Sequence, residues 1–197
     1  METTAGTPRG LWARSAGTIK TLFRVLFGAV WLFAGYFKFV PGFAANFSVP
    51  DGSTQPVWLH GWFGWWAGIV NPNPAPWVYL VGSLEVLVGL ALIFGFMRKI
   101  AYSGAGLLAL FIWAVPEGFG GPYGGGTNTD IGTGFVYAML SVSLLIINGA
   151  YGPSRFSLDY YIERYWPKWA RIAEVQFNAP ASEQSVGEPA GPRQTTA

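Results

Sequence analysis

Residues 19–40 read IKTLFRVLFGAVWLFAGYFKFV. This run is continuous rather than alternating, and as a helix rising ~1.5 Å per residue it is long enough to cross a hydrocarbon core of ~30 Å. Its polar interruptions are ordered. Arg24, Gly28, Trp31, Gly35 and Lys38 follow at spacings of 4, 3, 4 and 3, which puts all five on one helical face. Small residues at 28 and 35 let a second helix approach closely, so the charged stripe is expected to face a bundle rather than lipid.

Three further apolar runs, at 77–96, 100–115 and 131–150, predict an all-α membrane protein whose four-transmembrane-helix bundle occupies residues 18–152. The 100–115 run is short and must borrow residues at its ends or thin the bilayer locally. Composition agrees, with 51% hydrophobic and 11% charged residues, where soluble domains carry about 25% charged. A net charge of +2 is too small for a nucleic-acid binder. The chain has no cysteine, and His60 is its single histidine. No haem, iron–sulfur cluster or metal is therefore expected from this chain.

The basic residues orient the spans. Arg9, Arg14, Lys20 and Arg24 lie before or at the start of the first, Arg98 and Lys99 between the second and third, and Arg155, Arg164, Lys168 and Arg171 after the fourth. Loops 41–76 and 116–130 contain no Lys or Arg. The positive-inside rule places both termini in the cytoplasm, residues 1–17 included, and both long loops outside. The first span reads as an uncleaved signal anchor, because it is too long for a signal peptide, Lys38 interrupts it and no good A-x-A site follows.

Trp58, Trp62, Trp65, Trp66 and Ile69 recur at helical spacing, which predicts an outer interfacial helix over 57–70. Residues 71–76, NPNPAP, break it. Residues 153–177 predict a cytoplasmic amphipathic helix interrupted at Pro167, with Leu158, Tyr161, Ile162, Tyr165, Trp166, Trp169 and Ile172 on one face. The Pro/Ser/Glu/Gln-rich tail 178–197 is expected to be disordered.

Two places could carry chemistry. Glu85 lies roughly 12 Å inside the outer end of its helix, where an ionised carboxylate must be paired, neutral or facing water. Lys38 is the expected partner: in antiparallel spans the two side chains lean toward each other, and their axial offset of about 7 Å is within reach of a lysine stem. Such a pair could either pin helix register or line a polar pocket. Arg24, near the cytoplasmic end, could instead snorkel to lipid phosphates. The second place is residues 116–126, PEGFGGPYGGG, where six glycines free the backbone, Tyr123 offers a hydroxyl or stacking face, and Glu117 and Asp130 flank it. It reads as a loop closing over a pocket or as a flexible hairpin, with Thr129 or Asp130 as a helix N-cap. The spacing fits neither a phosphate loop nor an EF-hand. His60 reads as an interfacial hydrogen-bonder.

The stripe Arg24…Gly28…Phe33-Ala-Gly35-Tyr-Phe-Lys38-Phe resembles the opening motif of the DoxX/DoxD-like membrane proteins. Residues 82–95, GSLEVLVGLALIFG, resemble that family's second helix, and the Gly-rich loop with Thr129-Asp130-Ile-Gly132 is similar to the DoxD branch. The resemblance implies a multi-pass protein of a prokaryotic cytoplasmic membrane that joins a partner redox subunit and passes electrons from thiosulfate to the quinone pool. Arg24, Lys38, Glu85 and Asp130 match the family's recurring polar places. On that reading Glu85 and Lys38 are the candidate catalytic residues, with Glu85 relaying a proton. Quinone is the implied cofactor, with Arg24, Trp31, Lys38, Glu85, Trp113 and Tyr123 as its candidate binding residues. One objection comes from charge: if all ionise, the outer half sets Lys38 against Asp51, Glu85, Glu117 and Asp130, a field that repels a dianion. A non-catalytic subunit or assembly factor of a larger redox complex suits the same glycine-striped, aromatic-rich chain, whereas a small-solute carrier lacks the expected inverted repeat.

Overall fold

The computed structural model describes residues 8–120, 131–151 and 155–175. Tyr123, Asp130 and the tail 178–197 lie outside the described residues. Within them the secondary structure is entirely helical: α1 Pro8–Lys38, α2 His60–Val70, α3 Ala75–Phe94, α4 Arg98–Ala114, α5 Thr133–Tyr151, α6 Leu158–Tyr165 and the short α7 Ala170–Ala173. Among the described residues three stretches are long and apolar enough to cross a membrane, Gly17–Lys38, Ala75–Phe94 and Thr133–Ala150. Helix α4, at 17 residues, is shorter than these.

The helices pack as two antiparallel pairs, α1 with α3 and α4 with α5. Glycine explains the first. A Cβ on Gly28 would stand 2.9 Å from the Gly89 carbonyl oxygen, and one on Gly35 would stand 2.9 Å from that of Gly82. A side chain at Gly89 would meet the Leu32 backbone nitrogen at 2.8 Å. Backbone therefore touches backbone at two levels, with a glycine contributed by each helix at each level. The second pair uses the same device, since a Cβ on Gly134 would lie 2.7 Å from the Ala109 carbonyl oxygen.

Between the pairs sits a core of Phe27, Trp31, Leu92, Tyr102, Ala105, Ala109, Ala138 and Leu144. Trp31 meets Phe27 and Tyr137 edge-on, with ring centroids 6.1 and 5.4 Å away. The outward faces are apolar too: Leu87, Phe94, Leu107, Val142 and Ile146 are all exposed. Such faces suit lipid and not water.

The turn from α3 to α4 is tight because Gly95 takes the left-handed conformation at φ 64°, with the Phe96 N–H donating to the Ala91 carbonyl at 2.9 Å. The predicted Trp-rich helix is α2, preceded by a 3-10 turn Val57–Leu59. It lies against the far end of α4, where the Trp62 indole N–H donates to the Ala114 carbonyl at 3.0 Å and Trp66 meets the Phe111 ring at 5.2 Å. The C-terminal segment is broken at Pro167, as its sequence predicts.

Candidate functional site

Lys38 ends α1 and Glu85 sits midway along α3. Their meeting depends on Gly82, where a Cβ would come within 2.6 Å of the Lys38 Cβ. The lysine stem crosses the bare glycine and places Nζ 3.5 Å from Glu85 Oε2, with the side chains 20% and 4% exposed. The ammonium also stands 5.0 Å from the centroid of the Phe43 ring, a cation–π distance. The pairing expected from axial offset is therefore present.

Beside the pair is a cavity of about 220 Å³. Its walls come from α1, α2, α3, α4 and the segments between them, and they are chiefly apolar: Phe47, Trp66, Val70, Trp77 and Phe111. Sites for drug-sized ligands run to ~300–1,000 Å³, so this one has room for no more than a single ring-sized group. The loop wall is fixed by Asn71 after α2, whose side chain accepts from the Val49 N–H at 2.8 Å and donates to the Val49 carbonyl at 3.0 Å.

Three polar groups lie in these walls besides Lys38. Glu85 Oε2 is buried with no hydrogen-bond donor, and the Trp66 indole N–H is buried with no acceptor. Glu117 is committed elsewhere, because its Oε2 accepts the Gly134 N–H at 2.8 Å and so caps the N-terminus of α5. The backbone around it is unusual, with Gly118, Phe119 and Gly120 all at positive φ. Phe119 is held there by ring contacts to Phe63 at 5.9 Å and Trp113 at 5.0 Å. The cavity thus offers a cation, an acceptor and a donor on an apolar ground. That donor set fits a neutral ring bearing oxygen functions.

The other predicted residues are placed elsewhere. Trp31 belongs to the core and does not line the cavity, and its indole N–H is buried without an acceptor. Trp113 ties α4 to the start of α5 by donating to the Ile131 carbonyl at 2.7 Å. His60 Nε2 shares a hydrogen bond with the Gln55 carbonyl at 2.9 Å. Arg24 neither snorkels nor reaches the cavity: it is 1% exposed, at the opposite end of the bundle, and its Nη2 donates to the Phe156 carbonyl at 2.7 Å and the Ile93 carbonyl at 3.4 Å. Trp66 and Phe43, which the sequence reading did not place at the site, are brought to it. A Trp-rich interfacial helix reads as an anchor, and nothing in its spacing marks the one ring that turns inward.

A second polar cluster occupies the end of the bundle that holds Arg24. Arg98 is fully buried, with its Nε 2.9 Å from Asp159 Oδ2 and its Nη2 paired with Glu174 and, at 3.5 Å, with Glu163. Asn148 bridges Glu174, 3.2 Å away, to Lys20, 3.3 Å away. Burial, and next the neighbouring Glu174 carboxylate, push the Glu163 carboxyl up from 4.5 to about 7. Burial pushes Glu174 upward as well. The docked segment therefore binds more protons than a detached one across this window, and its docking weakens as pH rises from about 4.5 to about 7. Thermal melts in detergent should show stability falling across that window, with a visibly shallower slope in Glu163→Gln.

Against known families, a model described as DoxX matches residues 19–117, half of the chain. No curated protein and no solved structure matches.

Proposed function

We propose, since this chain belongs to the DoxX family, that it is a four-span subunit of a quinone-linked oxidoreductase in a prokaryotic cytoplasmic membrane. Helix α4 completes the four as the third span in chain order, because it packs along α5 and presents apolar side chains such as Leu107 and Leu110 outward. The distribution of Lys and Arg supports cytoplasmic termini.

The observation that carries the reading is the Lys38–Glu85 ion pair in the wall of a ring-sized apolar cavity. A buried pair needs no cavity to pin helix register, and an apolar cavity needs no charge to hold a lipid tail. Together they suit the head of a lipid-soluble quinone. Lys38 would hold a ring oxygen, and Glu85 would relay a proton to the ring as it is reduced. A bound quinone would supply two-electron, two-proton redox chemistry, while the protein would supply position and a proton relay. Thiosulfate does not suit this cavity, whose walls set two carboxylates, Glu85 and Glu117, against Lys38. Thiosulfate-derived electrons, as in the DoxD-like reading, would enter through a partner subunit.

Purification in mild detergent with native lipids tests this. Quinone extracted at near one equivalent per chain is the expected result. A chain that carries none, yet forms a stable complex with another oxidoreductase, is an accessory subunit instead.

A further inference from the structure

The C-terminal segment is amphipathic in an inverted sense. Among the described residues 155–175 the only acidic side chains are Asp159, Glu163 and Glu174, and all three turn inward to Arg98. The Ser157 hydroxyl caps α6 by accepting the Tyr160 N–H at 3.3 Å, and the Asp159 N–H donates to the Gly95 carbonyl at 3.2 Å. These bonds fix the segment across the end of the bundle, beside the turn that joins α3 to α4. Its polar face is therefore used up against the protein.

What remains outside is aromatic and basic. Tyr165 is 91% exposed and Trp166 52%, with Tyr161 and Leu158 exposed alongside. Arg155, Arg164, Lys168 and Arg171 are also exposed, and none takes part in an ion pair among the described residues. Inward pairing of these three carboxylates thus leaves four cations uncompensated among the described residues, beside exposed rings at the level where the spans end. We infer that this outward face binds the headgroups of anionic phospholipids. The rings enter the interface, where Trp and Tyr are enriched, and the cations meet the phosphates. A soluble acidic partner would match the cations but would leave the rings in water, and continuity with the membrane-spanning helices favours lipid.

The full-length chain in mild detergent, offered equal phosphatidylglycerol and phosphatidylcholine, tests the inference by native mass spectrometry of retained lipid. Phosphatidylglycerol should be retained in preference by about tenfold, and the preference should collapse at about 1 M salt, where the Debye length is ~3 Å. The combined variant Arg155→Gln, Arg164→Gln, Lys168→Gln, Arg171→Gln should lose it while still melting cooperatively. The salt series on the natural chain decides the matter if that variant does not fold. Equal retention of the two lipids, or a preference indifferent to salt, overturns the inference. So does binding of polyglutamate without lipid preference, which would assign the face to an acidic protein segment.

Discussion

Asp159→Ala is expected to destabilise the folded chain by about 3–5 kcal/mol, the usual cost of breaking a buried ion pair from one side. Asp159 is wholly buried and accepts four hydrogen bonds, from the Met97 and Arg98 backbone N–H groups, Arg98 Nε and the Trp169 indole. Two of these cap α4, whose Met97 lead-in is a non-glycine residue at φ 48°, and a lost cap alone costs ~1 kcal/mol. The substitution leaves the Arg98 guanidinium buried with fewer acceptors than donors. Glu163→Ala is the control, because that carboxylate is 16% exposed and makes one contact to Arg98, at 3.5 Å, so its removal should cost clearly less. Denaturant unfolding in detergent measures both. Equal effects of the two substitutions would show that the clamp is not what holds the C-terminal segment.

This clamp was not legible in the sequence, and the reason is physical. Arg98 and Lys99 adjoin in the chain and read alike as a charged turn, yet one is buried and the other exposed. Periodicity finds the faces of a helix without saying which face turns inward. For the C-terminal segment the aromatic face was legible, but the burial of Asp159 and Glu174, 61 and 76 residues from Arg98 in sequence, was not. The glycine contacts were legible because they are local in pattern: Gly28 and Gly35 on one helix and Gly82 and Gly89 on the other, seven apart in each. The Lys38–Glu85 pair followed from the same register, since helix rise and antiparallel order fix the axial offset once two spans are known. The cavity beside it did not, because its walls include Phe47 and Trp66 from segments whose return over α4 depends on tertiary packing.

The pair also gives an asymmetric prediction that separates a register pin from a ligand site. Lys38→Met strands the Glu85 carboxylate, 4% exposed, with no cation, and should cost about 3 kcal/mol or more. Glu85→Gln strands a lysine that is 20% exposed at the end of its helix and can turn outward, so its cost should stay near ~1 kcal/mol. Lys38→Met combined with Glu85→Leu replaces the pair by apolar groups of similar size and should recover most of the stability lost in Lys38→Met. Quinone retention should follow a different order. It should fall by about tenfold or more in Glu85→Gln, where stability is nearly kept, and should remain lost in the double variant, where stability returns. A register pin predicts the opposite, with binding rising and falling together with stability. Retention restored in the stable apolar double variant would show that the charges serve only the helices.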